Sequence, residues 1–179
     1  MDATLHDVFR AGGWIEDLAR VLTVLGGTEV LMAAALVSVY LLRRSGLGWW
    51  GAVGPIGSLW VCALVTSFLK DFVGRARPEA GADITSAAFP SGHAANTTAF
   101  VVALALVMPW VTTAVSKRRA LLMAAGFSLA IGWTRLALGV HWTTDVLAGW
   151  VLGGAVAVVV VRQVAGREER SRPSGTRSA

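Results

Sequence analysis

A single cysteine, Cys62, lies within an apolar run and excludes an internal disulfide; a small buried hydrophobe is its plain reading. Charge is scarce as well, at 15% of residues against a hydrophobic share of 55%. That balance excludes an ordinary soluble domain and fits a membrane protein. The opening residues lack a basic start followed by a short apolar core, which argues against a cleaved signal peptide. There are only three histidines, and no His, Cys, Asp or Glu group has metal-ligand spacing, so neither a metal nor a cofactor is expected. The net charge of +5 does not point to nucleic acid, because the basic residues gather at the ends of apolar runs and in the tail, where membrane topology explains them better. At 179 residues the chain has room for one bundle and no second domain.

What the chain has in quantity is apolar helix. Residues 1–20 place Leu5, Val8, Phe9, Ile15 and Leu18 near helical spacing between charged residues, which predicts an amphipathic helix on the membrane surface, broken near Gly12-Gly13, with His6 solvated. Five runs of about the 20 residues that a bilayer core requires follow: Val21–Leu42, Leu47–Leu69, Gly92–Val115, Ala120–Leu138 and Thr143–Val161. The expected fold is therefore all-α, a polytopic membrane bundle over 21–162, with a basic, disordered cytoplasmic tail over 163–179. Gly54-Pro55 and Pro109 should kink or loosen their helices. Glu29 reads as a bundle-facing structural residue, and Gly149, Gly153 and Gly154 suit close helix contact. Trp49, Trp50, Trp110 and Trp142 sit near span ends, as interfacial anchors do.

Ten of the sixteen basic residues fall on one side of this five-span arrangement, which the positive-inside rule assigns to the cytoplasm. Lys70, Arg75, Arg77 and Arg135 stand on the other side, against that preference, and call for a local reason; an anionic ligand supplies one. On that side lie three blocks. Lys70 and Arg77 are seven apart, followed by Pro78. Pro90-Ser91-Gly92-His93 opens a helix, whose N-terminal N–H groups and partial positive charge suit an anion, with Gly92 allowing close approach. Thr134-Arg135 precedes His141 and Asp145, whose spacing of four would stack them on one helix face. A carboxylate on one ring nitrogen leaves the other as nucleophile or base. Each block alone has a plain alternative: Lys70 snorkelling, Ser91 capping, His93 a surface residue, Arg135 paired with Asp145. Their convergence on one side favours a site.

Together, K-x6-R-P, P-S-G-H and [S/T]-R-x5-H-x3-D resemble the three motifs of the type 2 phosphatidic acid phosphatase superfamily. Thr134 replaces the usual serine, and the gap from Pro78 to Pro90 is short for that family, whose membrane members commonly have six spans. The resemblance implies that His141 attacks phosphorus to give a phosphohistidine, that Asp145 fixes its tautomer, and that His93 serves as acid and then base. Lys70, Arg77, Ser91, Gly92 and Arg135 would bind the phosphate, without metal. It further implies a lipid phosphate or diphosphate substrate, with polyprenyl diphosphate, phosphatidylglycerol phosphate and phosphatidic acid foremost. The setting would be a bacterial inner membrane with the site facing outward. A non-catalytic lipid phosphate carrier, a vanadate haloperoxidase and a phosphatase for soluble esters are the competing readings.

Overall fold

The computed structural model describes residue 2, residues 8–81 and residues 83–171; His6 and residues 172–179 lie outside these. Among the described residues the chain is all-helical, with six principal helices: α1 (Trp14–Thr23), α2 (Thr28–Arg44), α3 (Trp49–Val73), α4 (Gly92–Val107), α5 (Lys117–Ala137) and α6 (Thr143–Ser171). Helices α3, α5 and α6, with α4 and the turn that follows it, are long and apolar enough to cross a membrane. Helices α1 and α2 pass the same test only when taken together, as a pair bent by 46° at the break between Gly26 and Thr28.

The boundary expected between the surface helix and the first span, at residues 20 and 21, falls inside one helix: α1 starts after Gly13 and continues to Thr23. It packs on α5, burying Ala19, while Trp14, Leu18 and Val21 stay exposed on its outer face. The bend is tight because Gly26 is buried against Ile131, Thr97 and His93; an added Cβ would lie 2.5 Å from Ile131 Cγ2. Glu29, expected to face the bundle, sits exposed in the first turn of α2, where a carboxylate suits the helix dipole.

Pro55 is accommodated inside a continuous α3. Pro109 does interrupt its helix: α4 tightens into the turn Met108–Trp110, so the third span stops short of Val115. The expected disordered tail from 163 is helical as far as Ser171. A physical reason is at hand, since Glu168 accepts from the Gly51 N–H at 3.2 Å and so caps an orphan donor at the start of α3, while Arg167 lies over the Trp50 ring at 4.7 Å.

The central helix is α4, which packs on α3, α5 and α6. Its seam with α6 runs backbone to backbone: a Cβ at Gly153 would fall 2.3 Å from the Ala95 carbonyl oxygen, and one at Gly149 would fall 2.9 Å from the Ser91 carbonyl oxygen. At the site end Ser91 N–H donates to the Asp145 carbonyl at 3.0 Å, fixing the start of α4 against the start of α6. The opposite end holds an apolar core of Leu42, Leu47, Ala103, Val107, Ala157 and Val161. The site therefore sits on a rigid, closely packed base.

Candidate active site

Two glycines bring the motifs to one end. Gly74, at φ 59°, closes α3 and turns the chain into the loop that carries Arg75 and Arg77. Gly139, at φ 64°, follows α5 and lets residues 138–142 reverse direction, which delivers His141 just before α6.

His141 and Asp145 meet, though not as a helical stack. His141 precedes the helix, while Asp145 in its first turn reaches back to accept the Trp142 N–H through Oδ2 at 2.9 Å, the reach-back half of a capping box. The same oxygen lies 3.4 Å from His141 Nδ1, a long contact. Both side chains are buried, at 2% and 0% exposure. On the other side of the ring, Arg77 Nη1 lies 3.0 Å from Nε2 and donates also to the Val140 carbonyl at 2.9 Å. A guanidinium can only donate, so Nε2 is the accepting nitrogen and the ring proton belongs on Nδ1, toward Asp145. Burial first, and then the Arg77 and Arg135 cations, push the imidazole down from its usual 6.5 to about 4, against the opposing pull of Asp145. The His141 ring is thus neutral, with its lone pair at Nε2.

Three cations, from three elements, share this end of the bundle. Arg77 is held by Ser86, whose carbonyl and hydroxyl accept from Nε at 2.8 Å and Nη2 at 3.0 Å. Lys70, on the last turns of α3, donates to the Ala87 carbonyl. Arg135, only 8% exposed, reaches from α5 to the Thr23 hydroxyl at 2.7 Å, and its Nε is buried without a protein partner. It does not pair with Asp145, the plain alternative for this residue. His93, in the first turn of α4, interacts electrostatically with Arg135, His141, Arg77 and Lys70. Ser91 is fully buried and stands at the N-cap of α4, yet makes no side-chain cap and its Oγ has no protein partner. Gly92 has room in front of it, since an added Cβ would meet only Thr66 Cγ2 at 3.8 Å. All eight residues expected at the site therefore share one end. Beside them lies an open cleft of about 830 Å³ bordered by Lys70, Asp71, Arg75, Arg77 and Ser86.

Thr134 does not join them; its hydroxyl donates to the Ile131 carbonyl of its own helix at 2.6 Å. Two further residues contact the expected eight, although they stand at unspecified positions of the motifs. Arg75 donates to Asp145 Oδ1 at 2.7 Å, and Trp142, expected as an interfacial anchor, lies under that guanidinium at 5.5 Å and donates from Nε1 to the Ala76 carbonyl. The topological misplacement of Arg75 was the signal available in the sequence; nothing there singled out Trp142 for this position.

Comparison with known proteins places the chain in a family. The chain is 26% identical to phosphatidylglycerophosphatase B of Bacillus subtilis over 78% of its own length and 70% of the relative's. It is 29% identical to the chloroplastic lipid phosphate phosphatase epsilon 2 of Arabidopsis thaliana over 83% of its length, spanning about half (49%) of that protein. The fold matches the crystal structure of a transmembrane PAP2-type phosphatidylglycerolphosphate phosphatase from Bacillus subtilis with a TM-score of 0.79 at 22% identity, covering 97% of this chain and 87% of that one. The family model for the PAP2 superfamily matches residues 51–169, which take in every motif residue and all but the first two helices: the chain belongs to the PAP2 superfamily and is a multi-pass membrane phosphoric ester hydrolase.

Proposed function

We propose that this chain removes phosphate from a membrane lipid phosphate or diphosphate through a phosphohistidine, with side chains in place of a metal. The observation that carries the reading is the pinned ring of His141, whose Nδ1 faces Asp145 and whose Nε2 faces Arg77. A phosphate drawn to Lys70, Arg77 and Arg135 takes Arg77 Nη1 as a donor, which frees the Nε2 lone pair to attack phosphorus. The Ser91 hydroxyl and the Gly92 N–H at the start of α4 donate to the remaining oxygens. As the N–P bond forms, the bond from phosphorus to the lipid oxygen breaks and His93 gives that oxygen a proton. A water then attacks the phosphohistidine, His93 takes back a proton, inorganic phosphate leaves and His141 is restored.

The site end faces away from the cytoplasm in this reading, because ten of the sixteen basic residues lie at the opposite end or beyond it in sequence. A pocket at the end of a membrane bundle suits a substrate whose chains stay in the bilayer while its phosphate enters from the side. Polyprenyl diphosphate, phosphatidylglycerol phosphate and phosphatidic acid are the substrates to compare. The test is phosphate release from each by purified protein in the presence of EDTA. Release insensitive to EDTA and lost in His141→Ala, with lipid still bound, is expected. Release that survives His141→Ala would overturn the mechanism, and lipid binding without release by the unaltered protein would favour a carrier.

A further inference from the structure

Arg75 lies between the first and last residues of the K-x6-R-P block, yet it holds the site's only fully buried carboxylate among the described residues. One terminal nitrogen, Nη1, donates to Asp145 Oδ1 at 2.7 Å and to the Thr144 hydroxyl at 2.6 Å. The other, Nη2, donates to Asp2 Oδ2 at 2.6 Å. Asp2 in turn accepts from the Thr144 hydroxyl at 2.5 Å and from its N–H at 3.3 Å. The guanidinium is 31% exposed and Asp2 22%, so the chain Asp2–Arg75–Asp145 runs from the wet rim to a carboxylate with no exposure at all.

This arrangement divides the two oxygens of Asp145. Oδ1 is taken by Arg75, and Oδ2 is left to the Trp142 N–H and the His141 ring. Without the guanidinium the carboxylate could rotate, and its whole negative charge would act on the imidazole. With it, the charge is shared, and Asp2 limits how much Arg75 withdraws.

We propose that Arg75 is a positioning residue: it clamps Asp145 so that a single oxygen faces His141, and Asp2 holds the clamp and balances its charge. The assignment of a purpose to this clamp rests on His141 being the nucleophile. Arg75 reaches the imidazole only through Asp145. The other charged or titratable groups facing the ring are Arg77 from the loop, Arg135 from α5, His93 from α4 and, further round the pocket, Lys70 from α3.

Opposite signs make the test decisive. In Arg75→Gln the full charge of Asp145 favours the imidazolium, so the His141 titration midpoint should rise, by roughly one unit. In Asp2→Asn the uncompensated guanidinium pulls harder on Asp145, so the midpoint should fall, by about half a unit. Arg75→Lys keeps the charge and one donor and should lie between Arg75→Gln and the unaltered protein. The measurement is ¹⁵N NMR of histidine-labelled full-length protein in micelles, with His141→Ala assigning the signal. Midpoints that do not move, or that move the same way in Arg75→Gln and Asp2→Asn, overturn the clamp. Should Arg75→Gln not fold, the fall in Asp2→Asn and the shift in Arg75→Lys still decide. Phosphate release from phosphatidic acid micelles is then read on the same samples. Arg75→Gln should lower kcat by roughly 10- to 100-fold, as loss of a group orienting a reactive histidine does elsewhere, with KM much less affected. An equal loss in kcat and in thermal stability across both Arg75 variants, without a titration shift, would assign Arg75 to structure alone. Release that persists in His141→Ala would overturn the nucleophile assignment but leave the measured coupling standing.

Discussion

At the end opposite the site, Arg43 lies over Trp49, Arg44 over Tyr40 and Arg167 over Trp50, at 4.9, 5.9 and 4.7 Å from the ring centroids. These cations are exposed and spaced apart, each on its own aromatic ring. At the site end Lys70, Arg77 and Arg135 lie close enough to act on one another, partly stripped of water. The first set keeps its charge in water and costs little. The second accumulates like charge in a confined space, which destabilises the protein until an anion enters. The difference teaches that position relative to the bundle, rather than residue type, separates an exposed arginine on an aromatic ring from one crowded among like charges.

The comparison is broken most severely from the crowded side. Arg77→Ala or Arg135→Ala should lower kcat for phosphate release by roughly 10²–10³, the range for losing one donor to transition-state charge. The bundle should stay folded, since like-charge repulsion is relieved; circular dichroism in micelles and steady-state kinetics check both halves. Acid sharpens the contrast next. Burial and neighbouring cations disfavour the imidazolium, so His141 stays neutral through the ordinary imidazole range and protonates only near about 4. No acid loss in kcat/KM attributable to His141 should therefore appear at 6.5, and in Arg77→Gln that loss should move to higher pH, because a cation 3.0 Å from Nε2 is gone.

The base under the site comes third. Gly153→Ala puts a methyl 2.3 Å from a backbone oxygen and should cost about 1–3 kcal/mol, read as a lower unfolding temperature. Smallest is Arg43→Ala at the far end: about 0.5–1 kcal/mol from the lost ring contact, with kcat and KM unchanged. A large kinetic effect there would erase the distinction between the two ends.

Much of this was legible in the sequence because apolar runs and charged exceptions are one-dimensional signals. The all-helical membrane bundle, the shared end of Lys70, Ser91, His93 and Arg135, and the pairing of His141 with Asp145 all follow from runs and spacings. The form of that pairing did not. Spacing of four suggests a helix, whereas Gly139 starts a turn and Asp145 bonds backward to Trp142. The tail's continuation as helix depends on Glu168 meeting an N–H more than a hundred residues away, which no local pattern records. Nor could composition say that α1 packs against α5, because its apolar residues serve a lipid surface and a protein neighbour equally well. Arg75 was visible as an anomaly, but its partner on the far side of the site was not.

The bend at Gly26 has a consequence for how portable this chemistry is. Residues ahead of the family-matched segment supply a hydroxyl to Arg135 and lay bare backbone alongside His93. A chimera that grafts only the motif-bearing helices onto a foreign leading segment would inherit the reactive groups without the wall that confines them.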